Sequence, residues 1–532
     1  MDGAPIGATS VHPESLHTVL DGLIDQPATS SPPDRPTARP ARIGLMVASL
    51  AVAAAALSAA GSWIPSFWGD EAASLMSAQR SFPSLFTMLG HVDAVHGTYY
   101  VFLHFWIDVF GASPLSVRMP SAVAVGIAVA GAVVLANRLS GPRAALYAGL
   151  VAMFLPRLTS VGTEARSYAF SAALAIWLTV LLVWLMARPQ RSNWAWVAYA
   201  ALMAASAYVF LFSLLVPLAH GVILAAYRSS RRMLRPWTIA TAGGVLMAAP
   251  VIVWGFLERN QISYLFKRDA ATWQTILVGQ WFGNIFYAAM IGILLCVAAI
   301  VGVRRWREHR PGIAAPDARG PSVMVVAGAV AFIPLAFLLL VNSFDSVYTN
   351  RYLAMSAPAM AVLIGYLVSR IPRVGAGVAL AALSIAALPS YLDQRTEFAK
   401  NDSGWSQVAR FIGDHASPGD AVVFDEATRP SLRLRLAMHS YPRSFDGLND
   451  ITLNAPYAKN TWWWDTTFKV KTVAARFDGV GRVWLLEYRA PAEAPDTYGL
   501  ADLRALGFRV GAEYAEHGAE IYELTRPAPG LK

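Results

Sequence analysis

Cysteine is nearly missing from this chain. One residue, Cys296, stands in 532, inside the apolar run Ile291 to Val303. That excludes a disulfide within the chain, and it leaves neither a redox dithiol nor a cysteine-based metal site. Charge is the second scarcity. Only 14% of residues are Asp, Glu, Lys or Arg, where a soluble domain carries roughly a quarter. The deficit is concentrated between residues 43 and 390, where long apolar runs follow one another. A phosphate-binding glycine loop is also lacking. Gly479-Val480-Gly481 alone does not make one, so a nucleotide site has no support. The net charge of +9 does not indicate nucleic acid, because the arginines sit in short clusters between apolar runs, a pattern that reports membrane topology.

What is present is a series of segments long enough to cross a bilayer. A spanning helix needs about 20 mostly apolar residues. About eleven segments qualify on that rule: 43–65, 115–137, 142–158, 167–187, 194–211, 213–227, 236–257, 281–303, 321–342, 352–369 and 373–390. Residues 1 to 42 are polar and rich in Pro, Ser and Thr, and they read as a disordered cytoplasmic tail. The segment Tyr99 to Phe110 is apolar and aromatic, but short, and it carries His104 and Asp108. It fits an interfacial helix better than a span.

Arginine placement decides that choice. With Tyr99–Phe110 kept out of the bilayer, Arg138 and Arg143, Arg188 and Arg191, Arg228 to Arg235, Arg304 to Arg310, and Arg370 and Arg373 all fall on one side. That is the cytoplasmic side by the positive-inside rule. If the segment crossed, the clusters at 228–235 and 304–310 would lie outside. The first topology places loops 65–114, 158–166, 258–280 and 342–351, and everything after Pro389, on the outer face. Those loops hold nearly all the acidic and histidine residues of the membrane part.

Residues 391 to 532 have ordinary polarity and read as a small extracytoplasmic α/β domain. Ala421–Phe424 and Val483–Glu487 look like buried strands, and Trp405–His415 and Leu500–Leu506 look helical. Phe508–Ala515 and Glu520–Leu524 form a candidate pair.

The outer loops supply candidate chemistry. Asp70 and Glu71 follow the first span directly, and a carboxylate there can take a proton from an acceptor hydroxyl as it attacks a sugar carbon. They can equally complement the start of a helix. His91, Asp93 and His96 end the same loop. They can orient substrate or surround a divalent cation, although their spacing matches no strong metal motif. Glu164, Arg166 and Tyr168 open the segment at 167–187, where Arg166 either reaches a phosphate oxygen or snorkels to the interface. Lys267 and Arg268 are outer-face cations suited to a lipid phosphate. Tyr348, Asn350 and Arg351 stand at the mouth of another segment, with Asp345 available to pair with Arg351.

Four stretches together resemble a known family: Trp68-Gly69-Asp70-Glu71, His96-Gly97-Thr98-Tyr99-Tyr100, Glu164-Ala165-Arg166-Ser167-Tyr168 and Asn350-Arg351-Tyr352-Leu353. They are similar to motifs of the GT-C membrane glycosyltransferases, in the protein mannosyltransferase and aminoarabinose transferase branch. The resemblance covers roughly residues 43 to 390. It implies a polyprenyl-phosphate-linked sugar donor, mannose being the expected sugar, and a glycan, lipid or protein acceptor. It also implies an inverting mechanism with Asp70 as the catalytic acid residue. The expected architecture is therefore an α-helical polytopic membrane protein of GT-C type with a C-terminal extracytoplasmic α/β domain. Two other readings stay open, a transporter or flippase for lipid-linked sugars and a non-catalytic scaffold. A transporter should place polar residues near span centres, whereas here they cluster at one set of boundaries.

Overall fold

The structure is a computed structural model that describes residues 40–187, 193–261, 271–308, 321–489 and 498–526, with the side chains of residues 40 and 301–308 left aside. The predicted tail before residue 40, Arg188 and Arg191, the loop carrying Lys267 and Arg268, and the Arg304–Arg310 side chains lie outside the described residues.

Every predicted apolar segment is helical. Among the described residues six helices are long and apolar enough to cross a membrane: Ala41–Ala59, Pro114–Ser140, Tyr168–Ala187, Val323–Asn342, Asn350–Ser369 and Arg373–Asp393. A seventh candidate is broken, with Arg228–Met247 and Ala249–Leu257 meeting at 57°. Pro250 in the first turn of the second half explains the break, since it cannot donate back into the preceding turn. Shorter apolar helices, Pro142–Phe154, Trp194–Val209, Leu211–Ala226 and Ile285–Ile300, take the remaining positions.

Small residues hold the helices together. A Cβ built at Gly365 would lie 2.3 Å from the backbone nitrogen of Ala148, and one at Gly126 would lie 2.6 Å from the Ala51 carbonyl. Only glycine permits backbones to approach so closely, which is how helices associate where lipid provides no hydrophobic drive. The outward faces carry large apolar side chains such as Leu45, Val52, Leu246, Ile293, Leu340 and Ile385, as a lipid-facing surface requires.

The segment at 99–110 lies in a helix, Gly97–Phe110, that buries Tyr99, Tyr100 and Leu103 and exposes Phe105, Val109 and Phe110. It is preceded by Phe82–Leu89, whose Phe86 is also exposed.

The described residues of the C-terminal region form seven strands: β1 Ala421–Phe424, β2 Asn449–Asp450, β3 Leu453–Ala455, β4 Thr466–Thr467, β5 Arg482–Tyr488, β6 Arg509–Glu516 and β7 Ala519–Thr525. Five form one mixed sheet in the order β2-β1-β5-β7-β6. β1 pairs in parallel with β2 and β5, and β7 runs antiparallel to β5 and β6. Interior strand β1 is buried along its whole length, whereas edge strand β6 alternates exposed and half-buried residues. This is the two-residue period of a strand with one solvated face. The helices Trp405–His415 and Leu500–Ala505 stand at the predicted positions.

The sheet and the first loop share a core. Phe67, Leu75, Met76, Leu85 and Tyr100 pack in one apolar cluster with Trp405, Val408, Phe424, Leu436 and Trp484. Polar contacts fix the register of this junction. Ser66 donates its backbone N–H to the Glu397 carbonyl at 2.9 Å, the Phe67 N–H reaches the Tyr441 hydroxyl at 2.9 Å, and Ser403 Oγ donates to the Phe67 carbonyl at 2.6 Å.

Candidate functional site

The helix Gly69–Ala78 begins where the first loop meets that shared core, and Asp70 and Glu71 occupy its first turn. Successive residues on a helix point in different directions, and these two carboxylates have different fates. Asp70 Oδ2 lies 2.9 Å from Arg351 Nη1, and both side chains are about one-third exposed, at 33% and 28%. The Arg351 guanidinium also stands over the Trp68 ring, 5.0 Å from its centroid. Glu71 is wholly buried. Its two oxygens accept from Arg118 Nε at 2.8 Å and Nη2 at 2.5 Å, and Oε1 takes the Ala165 N–H at 2.9 Å. Arg118 spends its remaining donors on the carbonyls of Ser62, Pro65 and Ser66. Glu71 thus holds the loop to the bundle, and of the adjacent pair Asp70 alone faces the opening.

Behind Asp70 lies a second guanidinium. Arg166 is buried, and its Nη1 donates to the Asp70 carbonyl at 3.3 Å, to Ser74 Oγ at 3.2 Å and to the Tyr100 hydroxyl at 3.3 Å. Its Nη2 donates to His96 Nε2 at 3.0 Å. That bond requires His96 to be neutral. Burial, and then the Arg166 charge, hold its pKa down at about 4 against the opposing pull of Asp93 and Asp70. Tyr100 donates to Asp93 Oδ2, and the Trp463 indole N–H approaches the same oxygen at 3.4 Å. His96, Asp93 and Tyr100 therefore act as a brace for Arg166.

Glu164 meets Lys400 at 3.4 Å, and Lys400 also donates to Thr163 Oγ1 at 2.9 Å. Burial alone would raise the Glu164 pKa. Lys400, followed by Arg351, overcomes burial and holds it below the usual carboxylate range. Tyr168 is buried at the start of its helix, edge-on to Phe210. Tyr348 donates to Gln280 Oε1 at 2.8 Å, and Gln280 Nε2 donates to the Asn350 carbonyl at 3.2 Å, which fixes the turn that delivers Arg351.

Asp70, Asp93, His96, Glu164, Arg166 and Arg351 therefore gather at one end of the bundle, with Tyr168, Tyr348 and Asn350 supporting them. His91 does not join them. It is exposed, and its Nδ1 bonds the Thr87 carbonyl one turn back at 2.8 Å. The ion pair of Arg351 is with Asp70, so the partner that its own loop offers, Asp345, is not the one it uses. Among the described residues no three His, Cys, Asp or Glu converge as a metal would require. His96 Nε2 is already committed to Arg166, so a divalent cation does not fit this part of the site.

Several buried polar atoms in and beside this cluster have no partner among the described residues, Arg166 Nε, Glu164 Oε2, His96 Nδ1 and Trp68 Nε1 among them. Buried groups are normally satisfied, so atoms left open around a partly exposed acid–guanidinium pair make a place suited to a polar ligand.

The residues that the sequence did not single out are Arg118, Lys400, Arg80 and Trp463. Arg118 carried a signal, being an arginine inside a predicted apolar span. Arg80 is buried and donates to the carbonyls of Asn460 and, with a second nitrogen, Trp462, which latches the tryptophan loop 462–464 onto the first loop. That contact joins residues 380 or more positions apart, and no local pattern announces it.

No protein-family model matches the chain, and no curated protein matches it by sequence. Its fold does match solved structures. ArnT from Cupriavidus metallidurans bound to undecaprenyl phosphate superposes with a TM-score of 0.57 at 14% identity, over 93% of this chain and 100% of that one. The apo form of the same protein gives 0.53 at 14% identity, over 91% and 98%. The chain has the GT-C fold.

Proposed function

From the GT-C fold we propose that the protein is a membrane glycosyltransferase that moves a sugar from a polyprenyl-phosphate carrier to an acceptor hydroxyl on the outer face. The observation that carries this reading is the half-open ion pair of Asp70 and Arg351, with Arg166 buried behind it. The solved relative in fold that holds undecaprenyl phosphate supports a carrier of that class.

In this reading the donor phosphate takes Arg351 away from Asp70. A guanidinium fork suits phosphate oxygens, and Asp70 is left free beside the anomeric carbon. The acceptor oxygen attacks that carbon while its proton passes to Asp70. The bond from the anomeric carbon to the phosphate oxygen breaks, and the electron pair leaves with polyprenyl phosphate. The charge that grows on this leaving group is met by Arg351 and, deeper, by Arg166. One base and one nucleophile invert the anomeric centre. Lys267 and Arg268 would add further cations for the lipid phosphate, and mannose is the sugar we assign. The exposed aromatic face of Gly97–Phe110 would lie in the interface, beside the carrier's headgroup.

The test is incubation of purified protein with labelled polyprenyl-phosphate mannose and membrane extract. Transfer that disappears in Asp70→Asn, with donor binding kept, supports the reading. Donor binding without sugar release in the wild type would point instead to transport.

A further inference from the structure

Trp463 belongs to the C-terminal region, yet its indole N–H ends on Asp93 of the first loop. We propose that Trp463 is a positioning residue. Through Asp93 and Tyr100 it sets the Arg166 guanidinium, so the C-terminal region completes the phosphate-binding part of the site. The proposal rests on the transferase reading above and deepens it.

The path is continuous. Trp463 Nε1 donates to Asp93 Oδ2 at 3.4 Å, and the Tyr100 hydroxyl donates to the same oxygen. A phenol has one proton to give. With that proton committed to Asp93, the Tyr100 oxygen is left to accept, and it takes Arg166 Nη1 at 3.3 Å. Asp93 Oδ1 stands 4.0 Å from His96 Nε2, the atom that receives Arg166 Nη2. Both terminal nitrogens of Arg166 therefore end on groups that lie against Asp93. A carboxylate that turned would change the direction of the Tyr100 proton, and the guanidinium would lose its acceptor.

The Asp93 main chain and side chain are fixed by different parts of the molecule. The residue adopts a left-handed backbone conformation, with φ of 61°, which a non-glycine residue rarely takes. Its N–H donates to Gln261 Oε1 at 3.1 Å, and the Ala94 N–H donates to Glu258 Oε2 at 2.9 Å. These bonds hold the turn but leave the carboxylate free to rotate. Its direction is set by Tyr100 and by Trp463.

The tryptophan is itself held in place. Arg80 donates to the carbonyls of Asn460 and Trp462, and Ser84 Oγ donates to the Ala458 carbonyl, all on the approach to Trp463. Beyond it, the Trp464 carbonyl takes Asn460 Nδ2 at 2.9 Å. The loop is closed at its base, where Asp465 Oδ1 accepts the Tyr457 N–H at 2.6 Å. A loop closed on itself and bolted to the first loop delivers the indole to a fixed point. Packing alone would be served as well by phenylalanine. The N–H aimed at a carboxylate is what a positioning role requires.

The test uses the full-length protein in nanodiscs. Affinity for undecaprenyl phosphate and the thermal midpoint are measured, and sugar release from labelled polyprenyl-phosphate mannose is followed on the same preparation. Trp463→Phe keeps a ring and drops the N–H. It should weaken lipid-phosphate binding about five- to tenfold, the range of effects carried through such networks, at an unchanged midpoint. In an Asp93→Asn background the same substitution should cost less than about twofold, because both changes act through one carboxylate. Wild-type affinity in Trp463→Phe overturns the proposal, and so does the full loss repeated in the Asp93→Asn background. If the midpoint falls as well, that second comparison decides between positioning and packing. Failure of these variants with sugar release intact in the wild type removes the role of Trp463 and leaves the transferase reading. Lipid-phosphate binding that depends on Trp463, without sugar release, does the reverse. A wild type that binds no lipid phosphate overturns both.

Discussion

Asp70 and Arg351, 281 positions apart in the chain, form an ion pair 2.9 Å long that is two-thirds buried on both sides. Such a pair has two consequences. On the proposed function it keeps the carboxylate close to a cation when no donor is bound, and it would give a donor phosphate a guanidinium that is already in place. The two partners should therefore fail differently. Asp70→Asn should lower transfer by about 10²–10⁴-fold, the span of general-base contributions, with donor affinity kept. Arg351→Ala should weaken donor binding as well. Labelled-sugar transfer together with donor-binding titration separates the two, and equal loss of donor affinity in both variants would argue against a base.

Glu71 should behave as a structural acid. It and Arg118 are fully buried, and the pair is sealed from solvent. Removing one partner of a buried pair leaves the other charge uncompensated and costs about 3–5 kcal/mol. Glu71→Gln should lower the thermal midpoint sharply in any one detergent. Glu71→Gln combined with Arg118→Met should recover part of the loss, because the stranded charge is then gone. An unchanged midpoint in the single variant would contradict the role given to Glu71.

This contrast shows where sequence reasoning stops. The apolar segments were legible because a bilayer imposes length and composition on them, and the strands because burial on two faces demands runs such as Ala421–Phe424. The neighbouring acids Asp70 and Glu71 looked equivalent in sequence. Only the arrival of Arg118 from one helix and Arg351 from another distinguishes them. Lys400 and Trp463 depend on how the C-terminal region docks on the first loop, and such contacts leave no periodic trace. His91 looked like a partner of His96, but it sits one turn too early and is bonded to Thr87.

His96 gives the protein a defined sensitivity to acid. Its folded pKa of about 4, set first by burial, lies below the roughly 6.5 of an unfolded histidine. Above pH 6.5 both states are neutral, and the group adds nothing to the slope. Between about 6.5 and 4 the unfolded chain binds the proton and the folded one does not, so stability falls as the pH falls, by about 3 kcal/mol in all. Protonation would also set a cation against Arg166. His96→Gln accepts the same bond and does not titrate. The difference in thermal midpoint between wild type and His96→Gln should therefore shift against the wild type on going from pH 7 to pH 4.5, and parallel curves would refute the assignment.

Gly69 offers the most discriminating single substitution. It is the first residue of its helix, where the interior preference for alanine over glycine of about 0.8–1 kcal/mol is only partly felt, so local propensity gives no reason for Gly69→Ala to destabilise. Packing predicts the opposite for the site. A Cβ at Gly69 would stand 2.7 Å from the Ser431 carbonyl oxygen and 2.9 Å from Ser431 Cβ, and a backbone carbonyl has little freedom to give way. The helix start must move instead, and Asp70 moves with it. A displacement of about 1 Å at a reacting group can cost about 10²-fold in rate. Gly69→Ala should thus lose at least tenfold in transfer while its thermal midpoint changes little. Gly243→Ala, where no atom lies within 4 Å of the built Cβ, is the control and should keep full activity. If Gly69→Ala transferred sugar as well as that control, the close approach of Ser431 would have no part in aiming Asp70.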